Sequence, residues 1–227
     1  STNDVFYATD LETGLLLRVD PLTGTGSSVG PLGFSDVQSL AYDSTNDILY
    51  ALNTSSSELL SVDPTTGEAT LIGTVAGFTN MSSLAFDASS DLLLAVDTVL
   101  DVLLSIDPAG PTGTSIGAVG FANVSSLSFG ESSTLFGVAL ATDDLISIDT
   151  STGAGSSIGQ LATSDVRALG YRASDELMLG VATATAQVFE INTSDASLSG
   201  VGSVGFDFTD LAFDSDGLIE LKQEPIE

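Results

Sequence analysis

One pattern, repeated five times at intervals of 42–44 residues and carrying four short strand signals each time, predicts an all-β fold: a five-bladed β-propeller of four-stranded antiparallel blades. The interval is set by VDPLTG (19–24), VDPTTG (62–67), IDPAGPTG (106–113), IDTSTG (148–153) and INTSD (191–195), whose lead residues are Asp20, Asp63, Asp107, Asp149 and Asn192. A second observation concerns the ends. The first copy lacks its opening strand and the last copy supplies one, which predicts a ring closed by the chain's two ends.

Each copy reads as strands a, b, c and d joined by hairpins. Strand a is VQSLAYD (37–43), MSSLAFD (81–87), VSSLSFG (124–130), VRALGYR (166–172) and FTDLAFD (208–214). Period-two alternation puts Leu40 and Tyr42, and their counterparts Leu84/Phe86, Leu127/Phe129, Leu169/Tyr171 and Leu211/Phe213, on one face. The opposite face carries Ser39/Ala41, Ser83/Ala85, Ser126/Ser128, Ala168/Gly170 and Asp210/Ala212. A bulky face fitted against a small one is what radially packed sheets need near an axis. The small positions are expected to be the inner, channel-facing ones, with Asp210 the one inward carboxylate.

Strand b follows as ILYAL (48–52), LLLAV (92–96), LFGVA (135–139) and LMLGV (177–181), with VFYAT (5–9) as the N-terminal copy. Strands c and d, for example LLSVD and ATLIG, flank the repeated turn. Asp or Asn at its head accepts backbone N–H bonds, Pro presets φ and Gly supplies a left-handed position. Asn192 stands where the other copies have Asp, so the turn requires an acceptor and not a charge. A glycine follows ten residues on (Gly30, Gly73, Gly117, Gly159, Gly202). A Gly–Phe pair comes next at 33–34, 77–78, 120–121 and 205–206, replaced by Ala162–Thr163 in one copy.

The C-terminal strand a (208–214) is expected to pair with the N-terminal b, c and d strands, making residues 1–216 a single propeller. Residues 217–227 remain as a tail or surplus strand. GLIEL (217–221) aligns with a strand b whose place is already taken. Leu218, Ile219, Leu221 and Ile226 are therefore candidates for an assembly strand added to the edge of a neighbouring molecule.

Composition narrows the chemistry. Four basic residues face 31 acidic ones, for a net charge of −27, which disfavours nucleic acid and anionic membrane surfaces as partners. The longest apolar stretch (92–106) is interrupted by Asp97 and Asp101 and is too short to span a bilayer, so no membrane insertion is expected. The chain has neither Cys nor His, which removes thiolate chemistry and the commonest general base. A lone carboxylate with no paired acid makes poor hydrolytic machinery, so an enzyme is not expected. No cofactor or metal site is read. DSDG (214–217) is a turn lacking the later glutamate of a calcium loop, leaving only weak calcium binding by the acidic surface. The absence of Trp argues against an aromatic sugar platform. Asn53, Asn80, Asn123 and Asn192 lie in N-x-[ST] sequons and are candidate glycosylation acceptors. The start at Ser1 is what a processed secreted chain would show.

Over residues 4–221 the repeat resembles that of secreted bacterial β-propellers built from "LYxIDPxTGxxxxIG…LAFD" units, related in style to the NHL and PQQ-like propellers. The resemblance implies that strand a lines the central channel and strand d lies outermost. It is specific for fold and weak for function. The expected role is a secreted, non-enzymatic structural or adhesive surface protein, extracellular or at the cell surface, self-assembling into a filament or matrix through its C-terminal strand. The alternative is a monomeric module binding glycan or another surface protein at one mouth of the channel.

Overall fold

A computed structural model describes residues 6–20, 25–43, 45–172, 175–185, 187–203 and 211–213. They form five four-stranded antiparallel sheets arranged as blades of a ring. In chain order the second blade is β4 (Val37–Asp43), β5 (Ile48–Asn53), β6 (Glu58–Val62) and β7 (Ala69–Thr74), after β1 (Phe6–Asp10), β2 (Leu15–Val19) and β3 (Gly26–Pro31) of the first. The third is β8 (Met81–Asp87), β9 (Leu92–Asp97), β10 (Val102–Asp107) and β11 (Thr112–Ala118). The fourth is β12 (Val124–Phe129), β13 (Leu135–Ala139), β14 (Asp144–Ile148) and β15 (Gly155–Gln160). The fifth is β16 (Val166–Arg172), β17 (Leu177–Ala182), β18 (Gln187–Ile191) and β19 (Leu198–Ser203). Strand β20 (Leu211–Phe213) returns to the first blade and pairs antiparallel with β1, in register Phe6↔Phe213, Tyr7↔Ala212 and Ala8↔Leu211. The ring is closed by both ends of the chain, as the repeat predicts.

The five a strands touch one another in the order β4, β8, β12, β16, β20 and back to β4, so they surround the axis. The five d strands lie outermost. Between blades, large apolar side chains from both sides pack together. Leu40, Leu49 and Leu60 pack toward Tyr7 and Leu16 of the first blade, while Ala41, Leu52 and Leu59 pack toward Leu84, Leu93 and Leu104 of the third. Each junction is thus a separate apolar layer, and the core is a set of five such layers.

One expectation is corrected. The small residues of strand a do not line the channel: Ser39, Ser83 and Ser126 are completely buried between blades. A register shift after Val37, Met81, Val124 and Val166 turns the following strand away from simple alternation. The buried hydroxyls accept backbone N–H bonds from the next blade: Leu84 N to Ser39 Oγ (2.7 Å), Leu127 N to Ser83 Oγ (2.8 Å) and Leu169 N to Ser126 Oγ (2.8 Å). A serine is small enough for the crowded axis and brings its own acceptor. Asp210, the expected inward carboxylate, lies outside the described residues.

The periphery is clipped in a second way, which explains the glycine ten residues after the turn head in the first and third blades. Gly30 and Gly117 meet the turn of the next blade so closely that a Cβ would stand 2.0 Å from the carbonyl oxygens of Thr66 and Thr152. The turn glycines Gly67 and Gly153 adopt φ of 82° and 80° and face Gly30 and Gly117 in return. Nearby, Ala69 N bonds to Leu32 O (3.1 Å) and Gly155 N to Val119 O (2.9 Å), tying β7 and β15 to the linkers that precede their blades.

Candidate functional site

The ring has two unlike ends. One carries the a–b and c–d turns. There Asp63, Asp107, Asp149 and Asn192 accept N–H bonds from residues two ahead (Thr65, Ala109, Ser151 and Ser194, all at 2.8–2.9 Å), as the turn chemistry predicts. Hydrogen bonds from Thr65 and Ser151 hold Asp63 and Asp149 below the usual carboxylate range. Asp43 and Asp87 accept the equivalent N–H bonds in the a–b turns, from Thr45 and Ser89, both at 2.9 Å. Arg172 takes the corresponding place in the fifth blade, buried and forked onto both oxygens of Asp175 at 2.6 Å. Burial pushes the Tyr50 hydroxyl up, with Asp43 and Asp91 adding to the shift. This end is a set of carboxylates committed to turns.

The other end carries the b–c hairpins and the d–a linkers, and it holds an open depression over the channel of about 300 Å³. Its floor is one position of strand a, just past the register shift: Gln38, Ser82, Ser125 and Arg167. The rim is Thr54, Asn80 and Thr98. The serine protons are engaged, Ser82 Oγ donating to Val124 O (2.6 Å) and Ser125 Oγ to Val166 O (3.3 Å). Arg167 is 47% exposed and donates through Nε to Asp165 Oδ1. Asp165 is itself fixed, its Oδ2 accepting from Thr183 Oγ1 (2.7 Å) and Ala184 N (3.1 Å). Burial raises the Asp165 carboxyl, but the Thr183 hydroxyl and Arg167 outweigh it and hold it low. The arginine is therefore tethered along one edge, and its terminal nitrogens make no hydrogen bond among the described residues. The hairpin tips around this end also expose apolar side chains, Leu11, Val99 (68%) and Leu100 (56%).

The sequons distribute unevenly. Asn80 and Asn123 are exposed in equivalent d–a linkers at the depression end. Asn53 is buried, its side-chain oxygen accepting from Ser55 N (3.1 Å) and Ser56 N (3.2 Å). Asn192 is exposed at the opposite end with its oxygen committed to Ser194. Leu218, Ile219, Leu221 and Ile226 lie outside the described residues, as does the DSDG turn. The floor residues were not singled out from the sequence. Their only signal is that the second residue of each strand a is polar, and reading it required knowing where the register shifts.

No protein-family model and no curated protein sequence matches the chain. Solved structures do. A propeller from a nidogen/laminin complex aligns with TM-score 0.68 and 11% identity over 93% of this chain and 98% of that one. A Bacteroides thetaiotaomicron protein of unknown function aligns at 0.68 and 14%, over 95% of this chain and 62% of that one. A Staphylococcus aureus virginiamycin B lyase bound to quinupristin, in a catalytically inactive form, aligns at 0.55 and 12%, over 86% and 64%. The chain thus spans less than two-thirds of the last two. At these identities the likeness is one of fold: this is a β-propeller repeat protein.

Proposed function

We propose that the protein is a non-enzymatic, extracellular adhesion propeller that holds its ligand at the depression over the channel. The observation that carries this reading is the tethered Arg167 beside Gln38, Ser82 and Ser125: a cationic fork and fixed polar groups converge on one concave site. The non-enzymatic part of the reading is supported by the bonding of the site's hydroxyls. Its serine protons are held by backbone carbonyls, and the chain has no His to act as their base. Exposed Leu11, Val99 and Leu100 on the same end suit a macromolecular ligand. The neighbour in the nidogen/laminin complex is a propeller crystallised with another protein, which agrees with protein binding. The test is surface plasmon resonance of the chain and a Gln38→Ala/Arg167→Ala double variant over immobilised polysaccharides and matrix proteins. Binding that the double variant loses supports the site; binding that it retains in full places the ligand elsewhere.

A second reading is self-association, with Leu218, Ile219, Leu221 and Ile226 of one copy adding to an outer strand of the next. It is favoured by β3, β7, β11, β15 and β19, which carry no charged residue in a chain of net charge −27, so copies meet least repulsion there. Light scattering with and without residues 218–227 tests it.

A further inference from the structure

We infer that the depression over the channel takes a hydroxylated carboxylate, the chemistry of a sugar acid or of one uronic-acid residue in a polysaccharide. This rests on the reading that the depression is the ligand site and adds the class of ligand. Arg167 is the first reason. With Nε bonded to Asp165 and Asp165 held by Thr183 and Ala184, the guanidinium plane is oriented before any ligand arrives, and its terminal nitrogens form the fork that matches a carboxylate.

The serines are the second. Each Oγ gives its proton to a backbone carbonyl and is left with lone pairs alone, so Ser82 and Ser125 ask the ligand for donors. A bare carboxylate has none; hydroxyl groups beside it do. Gln38 presents an amide, able both to donate and to accept. Among the described residues no aromatic side chain lines the depression, so they offer a neutral sugar no platform for stacking. The volume of about 300 Å³ lies at the small end of ligand sites and suits a single ring.

The net charge of −27 opposes any anion at long range. Screening acts on that repulsion first, because the Debye length falls from about 30 Å at 0.01 M salt to about 8 Å at 0.15 M while the Arg167 contact is short. Affinity is therefore expected to rise over this salt range, the reverse of an ordinary surface ion pair.

The test is a ¹⁵N chemical-shift titration of the whole chain with galacturonate, galactose and a galacturonate oligomer, in 0.01 and 0.15 M NaCl. Galacturonate is expected to move the amides of Ser82, Ser125 and Arg167 and to bind about tenfold more tightly than galactose. Arg167→Ala is expected to lose that margin with its spectrum otherwise unchanged, and Arg167→Lys to restore only part of it. A response to the monomer identifies the free acid as a ligand; a response to the oligomer alone assigns the site to the polymer. Equal affinity for galactose and galacturonate, or undiminished binding by Arg167→Ala, overturns the carboxylate assignment, as does the absence of any shift with all three probes. If another ligand moves these amides, the site stands and only its chemistry is wrong. If a ligand found by surface plasmon resonance leaves them unmoved, the site itself is wrong.

Discussion

The hydroxyl of Ser39 accepts the amide hydrogen of Leu84 at 2.7 Å across the junction of the second and third blades, and both groups are buried. Ser83 and Ser126 repeat the contact toward Leu127 and Leu169. An N–H at such a place cannot turn to water, so removing its acceptor leaves it unpaired. Ser39→Ala is expected to cost about 1–3 kcal/mol in urea unfolding. A change within error would mean that the hydroxyl is dispensable.

Gly153→Ala tests the outer clip. The residue has φ of 80°, and an added Cβ would stand 2.5–3.0 Å from the backbone of Gly117 in the preceding blade. Neither a rotamer nor a small shift relieves both conflicts, and a loss of at least about 2 kcal/mol is expected. Gly110→Ala is the control: its φ is unexceptional and the space around it is open, so little change is expected when both variants are compared by urea unfolding.

Thr9 is a fault in the repeat. It is fully buried in β1, where the other blades have Leu52, Val96, Val138 and Val181, and its hydroxyl has no partner among the described residues. Thr9→Val keeps the shape and removes the orphan group. A gain of about 1 kcal/mol is expected, read as a rise of about 2–4 °C in Tm.

The turn aspartates link stability to pH. Asp63 and Asp149 have pKa values lowered by bonds from Thr65 and Ser151, so each contributes stability above the ordinary carboxylate pKa. That contribution is lost as pH falls through the depressed folded value, below about pH 4. Asp63→Asn keeps the acceptor, as Asn192 does in the fifth blade, and is expected to be near neutral at pH 7 while flattening this part of the acid profile. Asp63→Ala loses the turn bonds and is expected to cost about 1 kcal/mol at pH 7. Melting curves from pH 7 to 2.5 separate the two.

The architecture was legible because the repeat makes each signal five times. Blade number, strand order, the turn role of Asp63 and Asn192, and closure by β20 all follow from spacing and alternation. The channel was misread for a physical reason. Period-two alternation places Ser39 opposite Leu40, but the register shift after Val37 rotates the strand start, so Gln38 faces the axis and Ser39 the neighbouring blade. A bulge leaves no mark in an alternating pattern. The site was hidden for a related reason: Gln38, Ser82, Ser125 and Arg167 differ from one another, and a search for repeats discards what does not repeat. Arg167 acquires meaning only through Asp165, which one residue of spacing cannot reveal.

Ring closure is the claim on which the rest depends, since the axis, the depression and the blade junctions all presuppose it. The direct measurement is hydrogen exchange and urea unfolding of the chain ended at residue 210, compared with the whole chain. Loss of β20 is expected to accelerate exchange of the Phe6, Tyr7 and Ala8 amides and to lower the unfolding midpoint by more than any single substitution above. An unchanged midpoint with β1 still protected would contradict the closed ring.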